Sequence, residues 1–450
     1  MAARRRRLHP AAARHLVALG LYLYAASVQL TQVNTDPKRS DQSAYMSYAR
    51  KLEESGYTYV GERNRMPLFP ILSTLVYEEE MSEETFFLRG KWFNVALSVL
   101  LLAVLFAVYR RHLSLHGAAN LVAITAFTLF AFKAPCFQGE LLYYTLSFVG
   151  FWLLSRLLVR PRIGLGLLAG AVLALAQYTK SSALPSLALF LGVALLSVAW
   201  ELRTKGAPAA RWLRDALRSP LLVAGGACLC VFLVLLSPYL IHSKQQYGRY
   251  FYNVNTTFYM WYDSWEEVKQ GTRAHGDRRG WPALPEEEIP TPVRYLQTHT
   301  LDDIARREAH GLWVVLRDRV NSYGYLKYAA GAWALLVALV LHRRDVVRRY
   351  LARYRWVLLY WGAVLGGYLA MYAWWVPISP APRLVLALFV PYMWAMSVSI
   401  ARLMRELAPL VIAGRRIAPA ALTNALVSVV IAVDAVLIAT GRIAQHYGCT

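Results

Sequence analysis

Eleven stretches of mostly apolar residues dominate the chain, at 14–32, 91–109, 119–136, 141–158, 163–179, 182–200, 220–241, 328–342, 355–375, 384–401 and 420–440. A helix needs roughly 20 such residues to cross the hydrocarbon core of a bilayer, where backbone polar groups must be satisfied inside the segment itself. The run at 328–342 is the shortest. This pattern predicts an all-α polytopic membrane protein with about eleven transmembrane helices. Composition agrees, with 57 % hydrophobic and 17 % charged residues and a mean hydropathy of +0.34. Those values exclude an ordinary soluble domain, and they exclude a disordered chain, which lacks material to bury.

Lysine and arginine number 49 against 27 acids, a net charge of +22. Such basicity can serve nucleic-acid binding, but position argues for another cause. With the N-terminus placed in the cytoplasm, Arg4 to Arg7, Arg110, Arg111, Arg156, Arg160, Arg162, Arg203, Arg214, Arg343, Arg344, Arg348, Arg349, Arg402, Arg405, Arg415 and Arg416 all fall on the inner side. The acids there are only Glu201, Asp215, Asp345 and Glu406. This is the positive-inside bias, helped by anionic lipid at the inner surface, so membrane lipids rather than nucleic acid are the expected partners. Arg4–Arg7 followed by the apolar 16–30 also fits a signal peptide cleaved near Ala25–Ala26. An uncleaved first span is preferred, and the remaining topology is the same either way. Four cysteines do not make a framework. Cys228 and Cys230 sit inside a span, while Cys136 and Cys449 both fall on the outer side, where one bridge can form.

Three regions follow: an N-terminal transmembrane module over 1–241, an extracytoplasmic loop region over 242–327, and a C-terminal transmembrane module over 328–450. Two outer segments, 33–90 and 242–327, are too long to be connectors, and long loops in compact proteins tend to be functional. In the first, Ser40-Asp41 can cap a helix whose Ala44, Tyr45, Tyr48, Ala49 and Leu52 recur on one face. That helix is expected to lie along the membrane with its apolar side down. Ile71 to Tyr77 then forms an apolar stretch too short to span. The second segment is dense in aromatics, including Tyr259, Trp261 and Trp265. They suit an interface belt and equally suit stacking on sugar rings or lipid. Thr300 with Asp303 reads as a helix start.

Ionisable groups are nearly absent within the runs. Asp434 is the exception, and it serves either function or a pairing across helices. The polar residues collect instead where spans meet the outer surface: Asp36 and Asp41 after the first, Gln138 and Glu140 between the third and fourth, Lys180 at the end of the fifth, and Arg383 at the start of the tenth. Each alone is as well explained by a cap or a headgroup contact. Together they can form one cleft in which carboxylates take a proton or hold a cation, and cations neutralise a phosphate.

The layout resembles the GT-C superfamily of membrane glycosyltransferases, which includes protein O-mannosyltransferases and bacterial aminoarabinose transferases. The residues that carry the likeness are Asp41-Gln42-Ser43-Ala44-Tyr45-Met46-Ser47-Tyr48-Ala49 on the outer-loop helix, the later Arg65-Met66-Pro67-Leu68-Phe69-Pro70, the acidic Glu140 at the second outer turn, and the cations Lys180 and Arg383. Many members pair Asp-Glu or Asp-Asp where this chain has Asp41-Gln42, and some carry a soluble C-terminal domain beyond the last span. The resemblance implies an inverting transfer of sugar from a polyprenyl-phosphate donor to a hydroxyl of a glycan, lipid or protein acceptor. Asp41 is then the base, with Asp36 in reserve. Arg65, Arg63, Lys180 and Arg383 hold the donor phosphate. Glu140 orients the acceptor or ligates metal, and Tyr45, Gln138, Tyr259 and Trp261 contact substrate. No cofactor is required; a magnesium or manganese ion stays open, with Asp41 and Glu140 as its ligands. The sequence has no glycine-rich loop after a strand to cradle a nucleotide donor.

Two other classes remain open. A surface-polysaccharide polymerase or ligase would depend on Arg249, Arg273 or Arg294 in the later loop. A lipid-linked-sugar flippase or transporter would depend on groups within the spans, such as Asp434. Alanine- and arginine-rich usage points to a bacterial plasma membrane with the active site extracytoplasmic; in a eukaryote the outer side becomes the lumen of the endoplasmic reticulum.

Overall fold

A computed structural model describes residues 10–59, 64–206, 208–319, 325–379, 383–443 and 449. Each of the eleven apolar runs is helical. Eight helices among the described residues are long and apolar enough to cross a membrane, from Leu16–Val33 to Pro419–Ala439. Ile163–Thr179 and Leu326–His342 are apolar but shorter. The run at 384–401 is divided between Arg383–Leu386 and Phe389–Met404. By length and composition eight of the expected spans therefore qualify among the described residues, and a count of eleven is not established. Leucines and valines such as Leu426, Val429 and Val433 stay exposed on the outside of the bundle. Water would not tolerate that much apolar surface, and lipid does; the chain is an integral membrane protein.

Packing within the bundle is close where small residues allow it. Gly166 and Gly170 lie one turn apart on Ile163–Thr179 and face Pro220–Tyr247. A Cβ on either would come within 2.2 or 2.3 Å of the carbonyl oxygen of Ala224 or Cys228. The two backbones therefore touch, the usual route to helix association without a hydrophobic driving force. The helix Arg344–Trp375 carries a break at Tyr354, where the backbone leaves helical values. The polar stretch before Tyr354 and the apolar run after it are thus two helices joined at a kink.

The outer segments differ from the expectation in one respect. The helix Gln42–Glu54 does form, but its apolar face is not turned to lipid. Tyr45, Met46 and Ala49 pack with Phe69, Phe86 and Phe137 in a separate buried cluster. The physical reason is that Leu68–Ser73 and the start of Glu83–Tyr109 already offer aromatic surface on that side. In the second outer segment, Tyr247, Tyr252, Val254, Phe258, Tyr259, Val268 and Ile289 build a small core, joined by Ile378 from just after the helix Arg344–Trp375. Most of the aromatics there hold the segment together and do not form a lipid belt. Thr300 and Asp303 make a reciprocal capping box at the head of Leu301–Val314. A two-stranded hairpin, Leu410–Ile412 with Arg415–Ile417, is the departure from an all-helical fold among the described residues.

Candidate active site

The first outer segment is fixed to the bundle by buried hydrogen bonds before any candidate group is placed. Gln42 is fully buried. Its Oε1 accepts from Asn34 Nδ2 at 2.9 Å and from the Phe137 backbone N–H at 2.9 Å. Asn34 also donates to the Pro135 carbonyl at 2.8 Å. Lys91 donates to the carbonyls of Leu30 and Asn34 at 2.9 and 2.7 Å, its stem buried and its charge over Phe87. Asn94 donates to the Cys136 carbonyl at 2.7 Å, and a disulfide joins Cys136 to Cys449. Gly139 completes the turn, since a Cβ there would meet Phe69 at 2.9 Å. Gln42 thus stands where a second carboxylate would follow Asp41, and its amide satisfies both donors and acceptors that a carboxylate could not.

These anchors bring Asp41 to the N-cap of Gln42–Glu54, yet its side chain makes no capping bond. Arg65 donates instead to Asp41 Oδ1 at 2.8 Å, with its guanidinium 5.7 Å from the centre of the Tyr45 ring. Capping alone therefore does not account for this aspartate. Lys180, at the C-cap of Ile163–Thr179, donates to Glu140 Oε1 at 2.8 Å. Glu140 is 2 % exposed and opens the helix Glu140–Val159, where the helix dipole favours a carboxylate. Beyond Lys180, Ser181 accepts from Asn253 at 2.9 Å, and the Ser182 carbonyl accepts from Tyr143 and Tyr368.

Asp41, Tyr45, Arg65, Lys180 and Tyr259 line one cavity of about 330 Å³, together with Asn64, Trp265, Tyr372 and Trp375. Four remote parts of the chain meet there. Tyr259 donates its hydroxyl to the buried Asp277 at 2.8 Å, so its ring is held against the cavity. Glu140 stands behind the cavity wall, in contact with Lys180. Asp36, Gln138 and Trp261 are not among the lining residues. Asp36 accepts from the Lys38 backbone at 2.8 Å in an exposed turn. Gln138 is buried and donates to the Cys449 carbonyl at 3.0 Å. Trp261 packs toward Tyr295 and Trp374, because the 3-10 turn over 259–261 has three residues per turn and points its third side chain away from the cavity that Tyr259 and Met260 line. Arg63 lies outside the described residues, and of Arg383 only the backbone is described.

Aromatic wall residues Trp265, Tyr372 and Trp375 were not singled out as site residues from sequence. Trp265 belonged to the aromatic-dense segment, and spacing could not say which of its rings would line a cavity. The outer segment also holds an ionic knot: the buried Arg307 donates to the half-exposed Asp263 Oδ1 at 2.8 Å and lies 4.3 Å from the Trp374 ring centre. Burial pushes the Asp263 carboxyl up. Hydrogen bonds from Tyr295 and His299 and the charges of His299 and Arg307 outweigh this and hold it below the ordinary carboxylate range. Arg249 and Arg273 stack on Trp281 and Trp265, and Arg294 sits in Pro292–Thr298. Asp434 pairs with Lys327 and accepts from Tyr328 at 2.6 Å, a satisfied contact between helices.

No group of three or more histidine, cysteine or acidic side chains converges among the described residues. The cavity offers one carboxylate, already bonded to Arg65, and Glu140 is bonded to Lys180. A divalent cation prefers several oxygen ligands without cations beside them, so this donor set does not fit one.

No protein-family model and no curated protein matches the sequence. The chain is similar to ArnT from Cupriavidus metallidurans in the apo state, at 15 % identity and a TM-score of 0.45, over 98 % of this chain and 67 % of that one. It is similar to the apo oligosaccharyltransferase of Archaeoglobus fulgidus, at 13 % identity and a TM-score of 0.45, over 96 % of this chain and 56 % of that one. A third similar structure is the oligosaccharyltransferase AglB of the same archaeon in complex with an inhibitory peptide and a dolichol-phosphate, at 13 % identity and a TM-score of 0.40, over 97 % and 56 % of the two chains. The chain thus spans about two thirds of ArnT and little more than half of the archaeal enzyme. Likeness at this level assigns no residue a role.

Proposed function

We propose that the chain is an inverting glycosyltransferase that moves a sugar from a polyprenyl-phosphate donor to an acceptor hydroxyl at the extracytoplasmic membrane face. The observation that carries this reading is the single cavity in which Asp41, Arg65 and Lys180 meet among aromatic rings at the end of a membrane bundle. Asp41 takes the proton of the acceptor hydroxyl. The acceptor oxygen attacks the anomeric carbon from the face opposite the phosphate, and the anomeric carbon–oxygen bond to the phosphate breaks. The electron pair leaves with the lipid phosphate, whose charge Arg65 and Lys180 neutralise. Arg65 also holds the Asp41 carboxylate in one orientation, and Glu140 positions Lys180. Rings of Tyr45, Tyr259 and Trp265 supply faces on which a sugar can rest. The disulfide at this end of the bundle supports an extracytoplasmic site, since such bonds persist in oxidising compartments.

The test is transfer from a radiolabelled polyprenyl-phosphate sugar by the purified chain and by Asp41→Asn. Loss of at least about 100-fold is expected, as for removal of a general base. Undiminished transfer by Asp41→Asn would remove the assignment of the base. Full activity in the presence of a chelator is expected from the donor set.

A further inference from the structure

The opposite end of the bundle holds a second and larger cavity, of about 720 Å³. It lies across the membrane from Asp41. The helix Glu140–Val159 starts at the first cavity and ends at this one, a rise of about 30 Å. Arg111, Arg156, Arg160, Arg353 and Arg402 all line it, and no acidic residue does. None of the five has a carboxylate within ion-pair distance among the described residues. A neighbouring cavity that shares Arg353 and Arg402 adds Glu406. Positive-inside topology accounts for arginines on this side, but not for their meeting in one hollow.

The guanidiniums are held in place by rings. Arg156 and Arg111 lie 5.1 and 5.7 Å from the Trp152 ring centre, and Arg402 lies 4.5 Å from that of Tyr354, at the kink. These are cation–π distances, and a ring face takes none of the hydrogen-bonding capacity that a carboxylate would take from a guanidinium. His112 reports the local field. It accepts the Trp152 indole N–H at 2.8 Å, which requires a neutral ring nitrogen. Burial, with the charges of Arg402, Arg156 and Arg111, pushes its pKa down to about 4. One donor in the wall is also unspent: Trp394 is 2 % exposed, and its indole N–H has no acceptor among the described residues. Cations lining one cavity beside aromatic rings, next to a buried donor without an acceptor, call for an anion with several oxygens.

We propose that this cavity is a binding site for a phosphate group, separate from the proposed transfer site. The guanidinium edges of Arg156 and Arg402 bind its oxygens, and Arg111 and Arg353 neutralise the remaining charge. The phosphate belongs either to the headgroup of an anionic lipid, for which the tryptophan walls at the membrane boundary are suited, or to a soluble phosphate.

Two measurements on the full chain in phosphatidylcholine nanodiscs test this and separate the sources. Native mass spectrometry reads retention of phosphatidic acid doped into the disc, and equilibrium dialysis reads binding of radiolabelled orthophosphate. Retention of phosphatidic acid over phosphatidylcholine is expected if the headgroup is the source; saturable one-to-one orthophosphate binding is expected if the soluble ion is. The double variant Arg156→Gln/Arg402→Gln should weaken whichever binds by at least about 10-fold, since two charge-assisted bonds are lost. Trp394→Phe, which keeps the ring and removes the donor, should weaken it by about 3-fold and covers the case in which the double variant does not fold. Absence of binding by both probes, or binding unchanged in a folded double variant, overturns the proposal.

Discussion

At both ends of the bundle arginine or lysine lines a cavity with aromatic walls, but the charges are handled differently. In the Asp41 cavity each cation has its own carboxylate: Arg65 meets Asp41, and Lys180 meets Glu140. At the far end five arginines share one hollow with rings between them and no acidic lining residue. A paired site is compensated before any ligand arrives, so its groups are free to change partners as charge moves during a reaction. An unpaired site stores repulsion that only an anion from outside can relieve. The first arrangement suits chemistry and the second suits binding.

The sharpest way to break this contrast is at Asp41. Asp41→Asn should reduce glycosyl transfer by about 10²- to 10⁴-fold without changing the melting temperature, measured by product formation beside a thermal melt. A proportional fall in melting temperature would make Asp41 a structural residue instead.

Next in size is the buried pair. Glu140→Gln leaves Lys180 without its carboxylate in a site where the acid was 2 % exposed. The expected cost is about 3 kcal/mol of stability, seen as a lower unfolding temperature in detergent. Arg156→Gln at the other end orphans no carboxylate and should shift stability by no more than about 0.5 kcal/mol. Equal losses in the two variants would erase the difference between paired and unpaired ends.

Cys136→Ser follows. It unties the turn that carries Gln138 and Glu140 from Cys449, 313 residues away in sequence. A loss of about 2–4 kcal/mol is expected, matched by wild type under reducing conditions. A reductant without effect on the melt would show that the buried hydrogen bonds of Asn34, Gln42 and Asn94 hold the turn unaided.

The smallest effect concerns the outer knot. Because the Asp263 carboxyl is held below its ordinary range in the folded chain, the folded state binds fewer protons than the unfolded one there. Its stabilising contribution is complete above the ordinary carboxylate range and is lost as pH falls through it. Hydrogen-exchange protection over 292–314, corrected for the intrinsic rate at each pH, should therefore fall between about pH 5 and pH 3 in wild type, and less so in Asp263→Asn. Identical acid profiles would take the knot out of the stability of this segment.

Much of the architecture was legible from apolar runs, because the bilayer imposes length and hydrophobicity on any helix that crosses it. Residues 91–109 and 420–440 needed no tertiary information. The surface helix at 42–54 was also legible as amphipathic, but periodicity states only that one face is buried, not by what. Phe69 and Phe86 cover it here, and nothing in the local pattern distinguishes an aromatic neighbour from lipid. The same holds for the aromatic cluster of 247–265. Local spacing could not tell that Tyr259 and Trp265 line a cavity while Trp261 turns toward Trp374.

What the sequence by itself determined is the membrane-spanning helical class, the side bias of its arginines, and the short set of polar residues at span ends. These follow from local constraints: segment length, charge placement and capping chemistry. Only the tertiary structure decided which of those residues share a cavity, that Gln42 is a buried anchor, that Cys136 meets Cys449, and that the arginines at the other end converge. Such facts depend on contacts between positions far apart in the chain, and those are set by how the helices pack rather than by any single segment.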